Sequence, residues 1–174
     1  MFRLTKSPRL SEFERQVLPY LDHAYNLARF LMRNDQDAED VVQEACLRAF
    51  RFFESFRGEN IRAWFLKIVR NTAYTALKRN RPAEMNVEFD EDQHGSQAPA
   101  LDPSLTLDRT QDRQTVRAAI EQLAPEFREA ITLRELEGAS YKEIADIADV
   151  PIGTVMSRLA RARQQLAKIL AKPQ

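Results

Sequence analysis

The chain has 174 residues, of which 44% are hydrophobic and 30% charged, and its formal net charge is zero. This composition is typical of a folded protein and too apolar for a wholly disordered chain. The sequence contains no apolar run of about 18 residues that would cross a membrane, and it begins without the apolar stretch of a signal peptide. A single cysteine, Cys46, cannot form an internal disulfide. We therefore expect a cytoplasmic protein, and one Cys with two His leaves too few ligands for a Cys/His zinc site.

The charges are segregated along the chain. The net charge is +5 over residues 1–81, −6 over residues 82–103 and +1 over residues 104–174. The middle segment contains three prolines and no apolar periodicity, so it is predicted to be a flexible acidic linker. A second interpretation is that its negative charge imitates nucleic acid and shields a basic surface of the free protein.

Helix signals occupy both flanks, and no alternating strand pattern is found. A capping box at Ser11 and Glu14 predicts the start of the first helix, and Pro19 can open the next. An amphipathic helix is predicted over residues 35–53 and another over residues 61–80. In the second flank, helices are predicted at 103–123, 125–137, 140–148 and 152–170. The sequence thus indicates an all-α fold with two small helical domains joined by the linker.

The helix 35–53 has an acidic face. Asp37, Asp40 and Glu44 follow one another at steps of three and four, and Gln43 lies beside them. Such a run is most often a solvated face, and acids in the first turn also interact favourably with the helix dipole. The functional alternative is a docking surface for a basic partner. Acid–base catalysis by paired carboxylates is not favoured, because nothing in the sequence marks a catalytic pocket.

The helix 61–80 combines cations with aromatic side chains. Six cations and no acid lie between residues 62 and 81, and one helix face carries Trp64, Lys67, Asn71 and Tyr74. Aromatic rings that stack on bases and cations that neutralise phosphates are typical of surfaces that bind single-stranded nucleic acid. For Trp64 alone, a place in the hydrophobic core is an equally good interpretation.

The interval 140–163 predicts a helix-turn-helix, because a capped short helix, a tight turn and a basic helix follow one another. In the last helix, one stripe of side chains is apolar and another face is polar and basic. That polar face carries Thr154, Ser157, Arg158 and Arg161. Short polar side chains and arginines reach base edges and phosphates in a major groove. The alternative is a solvated helix whose late cations interact with its dipole.

Taken together, these motifs resemble an extracytoplasmic-function sigma factor, a small two-domain initiation factor of bacterial transcription. The matching segments are DAEDVVQE at 37–44, SFRG at 55–58, YKEIA at 141–145 and GTVMSRL at 153–159. The family often has glycine where this chain has Asp149, a residue type that tolerates the left-handed conformation of such a turn.

The resemblance implies a non-enzymatic protein with no catalytic residue, metal or cofactor. It implies three binding surfaces. The core RNA polymerase would bind Asp37, Asp40, Gln43 and Glu44. The melted −10 promoter element, with a flipped base in a pocket, would bind Phe56, Arg57, Trp64, Lys67, Asn71 and Tyr74. The duplex −35 element would bind Thr154, Ser157, Arg158 and Arg161. A separate anti-sigma factor is a further implied partner.

Two alternatives stay open. A helix-turn-helix regulator with an N-terminal sensing or dimerisation domain would bind a palindromic operator by itself and would not need the acidic helix. An anti-sigma decoy would keep the sigma-like folds without supporting transcription. An enzyme is not favoured, because the sequence has no phosphate-cradling glycine loop, metal cluster or nucleophile–base pair. Cys46 is interpreted as a small buried hydrophobe rather than a redox sensor.

Overall fold

Eight α-helices and no β-strand occur in the described parts of this computed structural model, residues 7–80 and 109–171. The first part is called the first domain below and the second part the second domain. The predicted linker, residues 82–103, lies outside the described residues, as does the predicted helix start at Pro103. The predicted domain limits at 81 and 104 also lie there and stay predictions.

Four α-helices form the first domain. They are α1 (Pro8–Val17), α2 (Leu21–Met32), α3 (Asp35–Phe52) and α4 (Ile61–Arg79). The predicted capping box at Ser11 and Glu14 is wrong, because α1 begins one turn earlier. Ser7 is its N-cap and accepts a hydrogen bond from the Leu10 N–H at 3.2 Å. Pro8 suits the first helical position, where a missing N–H needs no partner.

The predictions for α3 and α4 are confirmed, and each helix has an asparagine cap. Asn34 Oδ1 accepts from the Asp37 N–H at 3.0 Å, and Asn60 Oδ1 accepts from the Ala63 N–H at 2.9 Å. These bonds satisfy donors that have no partner within the first helical turn. Helices α2, α3 and α4 then pack together around fully buried side chains such as Leu27, Ala45 and Phe65.

The second domain contains four further helices. They are α5 (Arg109–Glu121), α6 (Pro125–Ile131), α7 (Tyr141–Ala148) and α8 (Ile152–Leu170). After α6 a π-helical segment, Thr132–Leu136, extends the helix to the left-handed Gly138 at φ 64°. The helix predicted to end at Gly138 is therefore confirmed, although the sequence did not indicate its π-helical turn.

The helix-turn-helix is confirmed in detail. The Glu143 N–H donates to Ser140 Oγ at 3.1 Å, and Glu143 Oε2 accepts from the Ser140 N–H at 2.9 Å, so the predicted capping box is complete. Asp149 ends α7 in the left-handed conformation at φ 57°, as its residue type allows. Val155, Leu159 and Ala162 on α8 are buried, which places the polar face of α8 on another side.

The two domains pack against each other, an arrangement that the sequence left open. Helix α4 of the first domain lies against α7, and α2 lies against α6. One continuous cluster of buried apolar side chains includes Phe65 and Leu66 of α4 together with Leu133 and Ile144 of the second domain. Helix α4 is therefore enclosed between its own domain and the helix-turn-helix.

Candidate polymerase and nucleic-acid interfaces

The acidic face of α3 is accessible. Asp40, Gln43 and Glu44 are exposed, whereas Asp37 is half-buried. Three of these four residues, Asp37, Asp40 and Glu44, line a cleft of about 330 Å³ between α3 and the end of α4. Glu44 Oε1 accepts a hydrogen bond from Arg48 Nε at 2.7 Å within the helix. The structure thus brings the predicted polymerase-binding residues together on one open surface.

An apolar edge continues this surface. The side chains of Leu47 and Phe52 on α3 are 68% and 55% exposed, and both line a shallow depression that also includes Glu44. Sequence reasoning missed these two residues as candidates for the interface. The signal was present for Leu47, which lies off the stripe of buried α3 side chains that includes Ala45 and Ala49.

The loop before α4 holds two aromatic rings together. The ring centroids of Phe56 and Trp64 are 5.0 Å apart, with an interplanar angle of 40°. Gly58 allows this fold of the loop, because a Cβ atom there would lie 2.8 Å from Phe56 Cε2. Arg57 is exposed, and its Nη1 donates to the Phe56 carbonyl oxygen at 3.1 Å. These three predicted −10 residues therefore lie at one end of α4.

The remaining −10 candidates line α4, where most of them contact the second domain. Lys67 Nζ lies 3.1 Å from Asp149 Oδ1, and the Tyr74 hydroxyl donates to Glu129 Oε2 at 3.3 Å. Asn71 is exposed, and its Oδ1 accepts from Arg70 Nη1 at 3.3 Å. The face predicted to bind single-stranded DNA is thus partly covered by carboxylates of the other domain.

The −35 candidates on α8 are divided between solvent and the buried carboxylate of Glu129 on α6, within the second domain. Ser157 is exposed, and its Oγ donates to the Thr154 carbonyl oxygen at 3.0 Å. Thr154 and Arg161 are half-buried. The Arg158 side chain is only 16% exposed, with Nη1 3.9 Å from Glu129 Oε2. Arg158 and Tyr74, which were assigned to different promoter elements, therefore approach the same carboxylate.

Glu129 of α6 is the residue that joins these surfaces, and sequence reasoning missed it. It is 1% exposed, and its Oε1 accepts from Arg70 Nε at 2.6 Å. Burial raises the pKa of the Glu129 carboxyl, against the opposing effect of the Arg70 charge. Burial also raises the pKa of Tyr74, and the neighbouring Glu129 charge adds to this shift. Two charged residues, Arg128 and Glu129, between the apolar Phe127 and Ala130 were the available signal.

The described residues also bear on metal binding, membrane insertion and cysteine reactivity. Within residues 7–80 and 109–171, no group of three or more His, Cys, Asp or Glu side chains is placed to hold a metal ion. In the same residues, none of the helices is both long and apolar enough to span a bilayer. Cys46 is half-buried, and burial raises the pKa of its thiol, which lowers its reactivity as a nucleophile.

Comparison with known proteins identifies the family. The family models for Sigma-70 region 2 and Sigma-70 region 4 match residues 17–82 and 113–166. The chain is 36% identical over 166 residues to the RNA polymerase sigma-H factor of Pseudomonas aeruginosa, covering 91% of this chain and 86% of that protein. It is 42% identical over 137 residues to the ECF RNA polymerase sigma-E factor of Escherichia coli K12, covering 75% and 72%. The chain belongs to the ECF sigma factors.

Solved structures agree with this assignment. The sigma factor RpoE of Bartonella quintana, crystallised with the anti-sigma factor NepR, matches 94% of this chain and 99% of its own at 31% identity and a TM-score of 0.70. CnrH, in complex with the cytosolic domain of CnrY, shares the fold at 23% identity and a TM-score of 0.66, covering 94% and 90%. The resemblance and the all-α fold class are thus confirmed, and the family is non-enzymatic. The roles of individual site residues stay predictions.

Proposed function

We propose that this sigma factor binds core RNA polymerase in the cytoplasm and directs transcription initiation at particular promoters. The observation that carries the proposal is that both sigma regions, 17–82 and 113–166, occur in this order in one chain, which aligns with 86% of a sigma-H factor. Catalysis belongs to the polymerase, and this subunit contributes promoter choice. The rival interpretation, a helix-turn-helix regulator with an N-terminal sensing or dimerisation domain, is not favoured, because residues 17–82 match the model of Sigma-70 region 2.

The polymerase interface is assigned to α3. Asp40, Gln43 and Glu44 are exposed and Asp37 lines the adjoining cleft, so a basic partner can reach all four. Complementary charge across an interface accelerates association and fixes its register. The exposed Leu47 adds apolar area beside the charges, as central contacts of protein interfaces require.

The first domain is assigned to the melted −10 element. The paired rings of Phe56 and Trp64 offer a stacking surface for a base that has left the duplex. Lys67 and Arg70 on α4 can neutralise phosphates of the strand. The second domain is assigned to the −35 duplex through the polar face of α8.

The two assignments require the domains to separate on the promoter. Elements centred near −10 and −35 are about 25 base pairs apart, or about 85 Å at about 3.4 Å per pair. Tyr74 and Arg158, however, both approach Glu129. The packed arrangement therefore cannot place both domains on their elements at once. An anti-sigma factor is a further proposed partner, because the similar RpoE was crystallised with one.

Run-off transcription with core polymerase tests the function. We expect transcripts from a subset of promoter templates when this protein is added to core enzyme, and none from core enzyme alone. Binding of the protein to immobilised core polymerase is measured in parallel. Absence of both core binding and promoter-dependent transcripts would overturn the proposal, and binding to a palindromic operator without polymerase would favour the regulator instead.

A further inference from the structure

Three carboxylates of the second domain face the basic side of α4, and they are called the acid row here. The row consists of Glu129, Glu143 and Asp149. Glu129 pairs with Arg70 at 2.6 Å, Asp149 with Lys67 at 3.1 Å, and Glu143 with Arg62 at 3.7 Å. Three cations of α4, Arg62, Lys67 and Arg70, are thus each paired with a carboxylate of the second domain.

The acid row meets side chains that DNA would otherwise use. Arginine and lysine each form charge-assisted hydrogen bonds with carboxylate oxygens as well as with phosphate oxygens. Arg70 also stacks on Tyr74, with its Cζ atom 4.3 Å from the ring centroid, so a ring suited to base stacking is covered together with the cation. We propose that the acid row substitutes for strand phosphates on α4, with Glu129 as its anchor, and blocks −10 DNA binding until the domains separate. This inference rests on the proposed function.

Glu129 is the anchor because it differs from the rest of the row in burial. Its side chain is 1% exposed and that of its partner Arg70 is 18% exposed. The side chains of Lys67 and Asp149 are 39% and 77% exposed, and pairs that open to solvent contribute little. Loss of one partner from a buried pair is strongly destabilising, since it leaves the other charge without compensation.

Glu129 also links the two DNA-binding surfaces to each other. Its Oε2 accepts from the Tyr74 hydroxyl on α4 and lies 3.9 Å from Arg158 Nη1 on α8. One carboxylate thus withholds a −10 candidate and a −35 candidate at the same time. The earlier suggestion that acidic residues shield a basic surface concerned the linker, residues 82–103, which lies outside the described residues. The shielding carboxylates seen here belong to the second domain.

The substitution Glu129→Gln tests the anchor in the full chain. Glutamine keeps the shape and removes the charge, so we expect a larger open population. Because apparent affinity scales with the fraction of competent molecules, binding of a labelled 20-nucleotide single-stranded DNA without polymerase should tighten by about tenfold. Glu135→Gln is the matched control: it makes the same change of charge, but Glu135 pairs with Arg163 inside the second domain at 2.7 Å.

A reversible lock covers the case in which Glu129→Gln fails to fold. Arg29 of α2 and Glu121 of α5 pair across the domains at 3.1 Å, away from α4. In a Cys46→Ser background, Arg29→Cys and Glu121→Cys are joined by a thiol reagent with a cleavable disulfide. We expect the locked protein to lose DNA binding and reductive cleavage to restore it.

The readouts separate this inference from the proposed function. If Glu129→Gln binds the oligonucleotide no better than Glu135→Gln, or the locked and cleaved proteins bind it equally, the acid row is not a block and the inference is overturned. If core-dependent run-off transcription by the wild type is normal in the same experiments, the sigma function stands and only the block fails. Loss of DNA binding on locking, with tighter binding of Glu129→Gln, supports the inference.

Discussion

Helices α3 and α4 are neighbours in the first domain, carry opposite charges and differ in what covers them. The acidic side chains Asp40 and Glu44 of α3 are exposed, whereas Lys67 and Arg70 of α4 pair with carboxylates of the second domain. The protein as packed therefore offers its proposed polymerase surface and withholds its proposed DNA surface. On the proposed assignments, this difference predicts that polymerase binds first and that promoter DNA follows.

The difference has a physical origin in the charges of the second domain. Glu129, Glu143 and Asp149 complement a basic helix and would repel an acidic one, so packing against α4 is favoured over packing against α3. The same complementarity makes the contact exchangeable, because a DNA strand presents negative charge to the same cations. Substitutions on the exposed face of α3 and on the covered face of α4 therefore lead to separate predictions.

The largest effect is expected when the exposed acidic face of α3 is reversed in charge. In Asp40→Lys/Glu44→Lys, like charges would face a basic partner, and such juxtaposition costs several kcal/mol. We expect the affinity for core polymerase to fall by about 100-fold, or about 2.7 kcal/mol. Surface plasmon resonance on immobilised core enzyme measures this loss.

The control for this double variant is Glu12→Lys, an acid on α1 that pairs with Arg15 of the same helix. Its affinity for core polymerase should stay within about twofold of the wild type. Binding of single-stranded DNA by the double variant should also be unchanged, because the cations that pair with the acid row lie on α4 and are not altered. Equal core affinity for the double variant and the wild type would show that α3 is not the polymerase surface.

A smaller effect is expected from a substitution on α4, the helix that the second domain covers. Trp64→Ala removes the ring that packs on Phe56 at 5.0 Å, and loss of a stacking ring costs about 1–3 kcal/mol per base. We expect open-complex formation by the assembled holoenzyme to weaken accordingly, measured by permanganate reactivity of thymines near −10. Ile68→Ala, another half-buried side chain of α4, controls for general loosening of the helix. Equal permanganate reactivity for the wild type and both variants would remove Trp64 from the −10 surface.

Local signals in the sequence were sufficient to predict the helices of the proposed functional surfaces. Helix α7 follows the Ser140 capping box, and α3 follows the apolar spacing of residues 35–52 almost to the residue. The start of α1 was missed, because the sequence contains two possible N-caps, Ser7 before Pro8 and Ser11 before Glu14. The helix begins at the first of them, where Pro8 occupies the first helical position. The π-helical turn after α6 carries no residue type that marks it.

The arrangement of the domains depends on contacts that have no local signature. Glu129 and Arg70 are 59 positions apart in the chain, and periodicity within either helix says nothing about their pairing. The sequence placed Lys67 and Tyr74 on one face of α4, which the structure confirms by turning both toward the second domain. It could not reveal that this face is covered, because cations suited to phosphate are equally suited to carboxylate.

The smallest expected effect concerns the rim of the covered face, at Glu143. The Ser140 backbone N–H and then the Asn60 side-chain amide lower the pKa of the Glu143 carboxyl below its ordinary value of 4.5. A lowered folded-state pKa contributes stability above about pH 4.5, and this stability is lost as the pH falls through the folded-state pKa.

Glu143→Gln keeps the capping hydrogen bonds and removes the titration. We expect a flatter decline of the melting temperature between pH 4.5 and 3 and a loss of under about 1 kcal/mol at pH 7. Asp146→Asn, which removes an exposed carboxyl from the same helix, is the matched control for the loss of one negative charge. An equally steep acid decline in Glu143→Gln would show that the α4–α7 rim does not depend on this charge, which leaves Glu129 and Asp149 as the carboxylates that hold the covered face.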